Sequence, residues 1–303
     1  TSASLVFVVQ PMVSKLVLPM LGGSPSVWNT SMVFFQTALL VGYGYAHLLQ
    51  RIRSLKLQAI IHLGLLSAAA LFLPLQISGV LGEPASSAPN VWLLATLALS
   101  VGAPFSVLSA TAPLLQAWYA RVRADHADGQ NPYVLYAASN LGSFLALLAY
   151  PALLEPLMSL SAQRTSWTGG YGLFVMLVMA LAALIWRRRV QNAPEPAPLA
   201  PSAPIPWREK GILVLLAAAP SSLMLGVTTH LSTDVASAPF LWVAPLALYL
   251  LTFVIAFQIR PWINLTTTLV LQAALGAIVV SLVGMNTGEW LLLLLVHLAA
   301  FFF

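Results

Sequence analysis

The chain has 303 residues, of which 59% are hydrophobic and only 7% charged. Water-soluble chains carry about 25% charged residues, so these proportions exclude a soluble globular domain and define a polytopic membrane protein of mean hydropathy +0.89. The net charge of +5 lies in short basic clusters between apolar runs, a pattern that sets topology and not nucleic-acid binding, and the lack of cysteine excludes disulfides, thiolate metal sites and thiol catalysis.

A membrane-spanning helix needs about 20 apolar residues. The sequence predicts ten such segments, at roughly 3–21, 27–49, 57–79, 91–119, 134–153, 170–186, 210–230, 239–258, 263–284 and 289–303. The first, LVFVVQPMVSKLVLPMLGG from Leu5 to Gly23, is the least conventional. It holds Gln10, then Lys15 near its middle between Pro11 and Pro19. Each proline removes a helix hydrogen bond and crowds the preceding turn, so a broken helix is expected. A lysine at the centre of a span costs roughly 2.5–3.5 kcal/mol on insertion scales. The later segments therefore read as the bundle that shelters this one. The Lys15 amine either snorkels to a nearby interface or faces an internal cavity. No signal peptide is evident, since the N-terminus has neither a basic region nor a small-residue cleavage site. Both ends fall in apolar runs and read as truncated.

Further along, Asn29 and Gln36 lie seven residues apart on one face of the second segment. Gly42, Gly44 and Gly142 permit close helix contact. The long fourth segment contains Gly102, Pro104 and Pro113, so it should be tilted or kinked. The tryptophans at 28, 92, 167, 207, 242, 262 and 290 fall near predicted span ends and read as an aromatic belt. If ten segments alternate across the membrane, every Lys and Arg except Lys15 and Arg164 falls on one side, which the positive-inside rule makes cytoplasmic. The N-terminus is then cytoplasmic as well. The opposite loops hold Glu83, Glu155, Asp234 and Glu289. Residues 190–207 are rich in proline and alanine and predict an extended cytoplasmic linker. It separates a six-span first half, 1–189, from a second half, 208–303, with four spans. Pro25-Ser26-Val27-Trp28 and Pro239-Phe240-Leu241-Trp242 open equivalent hairpins in the two halves. Parallel repeats of this kind are the layout of major-facilitator transporters. The fold expected is therefore all-α, a polytopic transmembrane helical bundle that is major-facilitator-like, with an incomplete second half.

Four stretches carry a resemblance: Gly22–Leu49, Leu99–Ala120, Asn131–Pro151 and Pro220–Phe257. They resemble the membrane part of the fused major-facilitator/spermidine-synthase-like bacterial membrane proteins. The resemblance implies a transporter-like module of the bacterial inner membrane. In that family a polyamine-synthase-like domain commonly follows the membrane part. No strand–GxGxxG–helix unit stands in these residues, so any catalytic residues would lie beyond Phe303.

Polar residues inside spans are candidates for function because lipid penalises them. The substrate-binding candidates are Lys15, Gln10, Gln36, Gln116, Asn140 and His230, lining a central cavity that takes a small polar metabolite. For the neutral members the competing reading is interhelical hydrogen bonding, worth about 0.6 kcal/mol each. His230 and Asp234 are one helical turn apart and suit proton coupling, or else form a hydrated pair at the surface. His47, His62 and His297 raise haem ligation, but nothing else in the sequence supports it. No catalytic, metal or cofactor site is expected. Lys15 would meet an anionic group, and a cationic polyamine fits poorly beside it. The alternative is a non-transporting accessory subunit of a larger membrane complex, or the membrane anchor of a catalytic domain. The partners expected are membrane lipid, other subunits and a small metabolite, with no nucleic acid.

Overall fold

A computed structural model describes residues 1–22, 25–84, 88–122, 133–187, 205–231, 243–256, 262–282 and 290–303. Among them the regular structure is entirely helical. Among the described residues eight helices are long and apolar enough to cross a membrane, as in a multi-pass helical membrane protein. Two further apolar helices, Val243–Ala256 and Trp290–Phe302, are shorter. The chain divides into two compact units, Thr1–Gln191 and Asn192–Phe303. The predicted linker lies almost wholly outside the described residues, as do Asp234 and the second hairpin motif at 239–242.

In the first unit, α1 (Ser2–Leu21) packs against α2 (Pro25–Leu49), α5 (Ala103–Val122), α6 (Tyr133–Ala149) and α8 (Leu160–Arg187). α3 (Leu55–Ala69) completes the unit against α5 and α8. The expected break in α1 is not there: the helix runs unbroken from Ser2 to Leu21 with Pro11 and Pro19 inside it. Enclosure compensates for the lost bonds. Val9, Met12 and Val17 of α1 are fully buried, and Pro11 itself is buried. Neighbouring helices thus hold the segment helical where an isolated one would bend.

Lipid tails are as apolar as leucine, so apolar burial alone gives these helices little reason to associate; close packing and hydrogen bonds must do it. Both are present. Trp167 Nε1 donates to the Leu5 carbonyl at 2.9 Å, and the Tyr171 hydroxyl to that of Leu66 at 2.9 Å. Ser2 Oγ donates to Leu108 O at 3.0 Å, and Ser4 Oγ to Gly142 O at 3.1 Å. Trp92 and Trp167 are therefore not belt residues: both are buried, whereas Trp207, Trp262 and Trp290 are exposed as an interfacial position requires. The side chain of Trp28, and Trp242, lie outside the described set.

In the proline-rich fourth segment the α-helix is interrupted near Pro104, while Pro113 lies inside a continuous helix. α4 (Pro89–Leu97) passes into a π turn at Ala98–Gly102 before α5 resumes. Pro104 cannot donate to the carbonyl four residues back, and the widened turn accommodates its ring. A second π turn, Tyr150–Leu154, follows α6 at Pro151 and leads into the single turn α7 (Glu155–Leu157).

A buried polar cluster ties α2, α3 and α5 together. Gln58 is fully enclosed; its Nε2 donates to Ile52 O at 2.6 Å, and its Oε1 accepts from Trp118 Nε1 at 2.7 Å. Gln58→Leu strands both partners, at roughly 1–3 kcal/mol for each unpaired group. The expected result is a clear drop in the thermal unfolding midpoint with a shift in tryptophan emission; an unchanged midpoint would show that the cluster contributes nothing.

In the second unit, α9 (Trp207–His230) and α11 (Leu265–Leu282) leave almost all of their surface uncovered. α12 (Trp290–Phe302) packs on α11, α10 (Val243–Ala256) and α9. Apolar helix surface of this extent is consistent with contact with membrane lipid.

Candidate functional site

Lys15 lies about two thirds of the way along α1. Its ammonium group forms an ion pair with Glu155 Oε1. The two side chains are 27% and 23% exposed, so the pair is mostly enclosed yet still reachable. The other carboxylate oxygen, Glu155 Oε2, is buried with no hydrogen-bond partner.

Local sequence explains why Glu155 reaches α1. The predicted fifth span ended at residue 153, with Glu155 in the loop beyond it. The π turn at Tyr150–Leu154 instead carries helical backbone through Pro151, so Glu155 stays helical beside the bundle. That turn is braced from α8. Tyr150 donates its hydroxyl to Gln163 Oε1 at 3.0 Å, while Gln163 Nε2 reaches Met158 O at 3.1 Å and Leu154 O at 3.4 Å. Tyr150 and Gln163 are both buried. They hold the backbone that presents the carboxylate.

The remaining predicted residues are spread over α1, α2, α5, α6 and α9. Gln10 donates its amide back to Val6 O at 3.2 Å, and Asn140 to Tyr136 O at 3.1 Å, each within its own helix. Gln36 is exposed on α2, and Gln116 is half-buried on α5. His230 belongs to the second unit, at the end of α9, where its ring lies 4.9 Å from that of His297 on α12. His297 Nδ1 donates to Leu293 O at 2.7 Å. The proton-coupling partner named for His230, Asp234, lies outside the described residues. A cavity of about 320 Å³ opens in the second unit between α9, α10, α11 and α12. It is mainly apolar, with Tyr249, Thr252, Thr268 and Gln272 as its polar lining, and it includes none of the predicted binding residues.

His62 is fully buried and has both ring nitrogens engaged. Thr111 Oγ1 donates to Val107 O at 3.3 Å, so it accepts from His62 Nε2 at 3.0 Å. Nδ1 then accepts from the Tyr45 hydroxyl at 3.4 Å. Both ring nitrogens thus have protein partners, and His47 is exposed on α2. Among the described residues no group of three or more His, Asp or Glu side chains is placed to hold a metal ion.

Sequence reasoning missed Glu155 as a site residue, and the missed signal was charge balance. A lysine inside a span calls for an acid, and Glu155 stands between two prolines at the end of another span. Comparison with known protein families, with curated proteins and with solved structures finds no match for the chain.

Proposed function

We propose that the chain is a carrier-type membrane module that binds and moves a small polar metabolite, and that the Lys15–Glu155 pair forms the charged part of its binding site. One observation carries this reading: an ion pair on a helix that packs against four others, left partly accessible. Ionisable groups within spans mark solute and ion pathways because they are otherwise penalised there. The π turn beside Glu155 supports the same reading, since such turns recur at functional sites. The major-facilitator-like layout, the inner-membrane location and the cytoplasmic N-terminus belong to this proposal, on the basic-residue asymmetry and the resemblance described above. Purified protein in liposomes tests it. Lys15→Ala is expected to abolish accumulation of a small anionic metabolite, and transport at the unaltered rate would remove Lys15 from the mechanism.

A second reading is favoured by the neutral candidates. Gln10 and Asn140 bond within their own helices, and Trp167, Tyr171 and Ser4 knit the first unit together. On that reading the chain is a non-transporting accessory subunit or the anchor of a synthase-like domain. Co-purification of stoichiometric partner subunits, with no solute flux in liposomes, would select it.

A further inference from the structure

We propose that Glu155 is a proton-binding site whose protonation frees Lys15 to hold a small carboxylate anion, so that proton and anion occupy the site together; this rests on the carrier reading of the same pair. Three observations carry it. Lys15 is already neutralised by Glu155, so it meets an incoming anion only by leaving that partner. Glu155 Oε2 is buried without a hydrogen bond, which makes it the vacant acceptor at which a proton binds. The site is mostly enclosed, so its net charge matters more than it would in water.

The coupling follows from counting charge. With the pair closed and nothing bound, the site is neutral. A proton added to Oε2 breaks no covalent bond and leaves a neutral acid beside an ammonium, a net charge of +1. An anion arriving without the proton leaves a net charge of −1. With both bound the site is neutral again: ammonium against carboxylate, acid alongside. The two singly occupied states carry an uncompensated charge in a mostly enclosed site, and the empty and doubly occupied states do not. Each ligand therefore raises the affinity for the other. A polyamine would add positive charge to a site that needs negative charge.

The titratable and charged groups on the elements around Glu155 are consistent with this. α1 contributes Lys15. The π turn contributes Tyr150, whose hydroxyl donates to Gln163, and α8 contributes Arg164, whose guanidinium donates to Leu75 O. Tyr150 and Arg164 thus have other partners, and among the described residues Lys15 is the cation paired with Glu155.

Isothermal titration of the full chain in lipid nanodiscs with sodium L-lactate, near neutral pH and in buffers of different ionisation enthalpy, measures protons taken up per anion bound. The wild-type protein is expected to take up one proton per lactate, with affinity falling about tenfold per pH unit as pH rises, the slope a single linked proton gives. Glu155→Gln, a neutral isostere of the acid, is expected to bind lactate with no proton uptake and no pH dependence. Lys15→Gln is expected to bind none. Lactate binding to wild type without proton uptake, binding retained in Lys15→Gln, or no binding to wild type would each overturn the proposal. Should a variant fail to fold by circular dichroism, infrared spectra of the wild type decide. A protonated carboxyl band that grows as lactate is added supports the site, and its absence overturns it. Proton-linked binding without lactate movement into liposomes keeps this site and removes the carrier reading.

Discussion

Glu155→Ala is expected to destabilise the protein more than the double substitution Lys15→Ala with Glu155→Ala. The single change removes the carboxylate partner of an ammonium on α1, a helix packed against four others. Breaking a fully buried pair by removing one partner costs roughly 3–5 kcal/mol, whereas replacing both partners with apolar groups is often neutral or stabilising. The pair keeps about a quarter of its surface uncovered, and solvent screening there brings the single-variant cost below that range. Lys15→Ala should show the same sign, because it leaves a carboxylate whose second oxygen already has no partner. Thermal or denaturant unfolding of the two single variants and the double variant, in one detergent, gives the coupling energy directly. Additive effects would mean that the two groups do not interact in the folded protein, and both the carrier reading and the proton site would lose their basis. The double variant should fold and lack anion binding, which separates stability from function in one protein.

The class of fold was legible from composition because lipid admits so few solutions: each apolar run of span length must satisfy its own backbone, and a helix does that. Lys15 was legible for the complementary reason, as a charge is conspicuous where charges are costly. Its partner was not. Glu155 lies 140 positions away in sequence, past a predicted span end, and only the π turn at Tyr150–Leu154 keeps it helical and within reach of α1. Apolar periodicity carries no signal for such a turn. The prolines divide in the same way. Pro104 and Pro151 sit at π turns, while Pro11 and Pro19 leave α1 unbroken, and what differs is the packing around them, which a single segment does not encode. Trp92 and Trp167 were misread because proximity to a span end places a tryptophan in depth but leaves open whether it faces lipid or protein. Of the polar candidates, Gln10 and Asn140 turned out to bond within their own helices, an option open to any long amide in a helix.

The glycines give the sharpest contrast available within one helix. Gly42 and Gly44 are two residues apart on α2, and the sequence marks them as equivalent. A Cβ built on Gly42 would lie 2.4 Å from the Ser106 carbonyl oxygen and 3.2 Å from the Ala110 nitrogen, both backbone atoms of α5. Backbone cannot rotate away, so any side chain here must push the two helices apart. A Cβ on Gly44 would meet nothing within 4 Å. Gly42→Ala is therefore expected to lose about 1–3 kcal/mol, the range for overpacking a close contact, and Gly42→Leu to exceed that or prevent folding. Separation would also pull apart what the approach brings together: the Phe35–Phe105 rings at 5.0 Å, and the buried cluster of Ala46, Leu49, Ala110 and Leu114. Gly44→Ala should be neutral or slightly stabilising, since alanine is favoured over glycine in a helix by about 1 kcal/mol. Unfolding midpoints of the two alanine variants, measured side by side, check the prediction. Equal midpoints would mean that the backbones of α2 and α5 do not meet closely at Gly42.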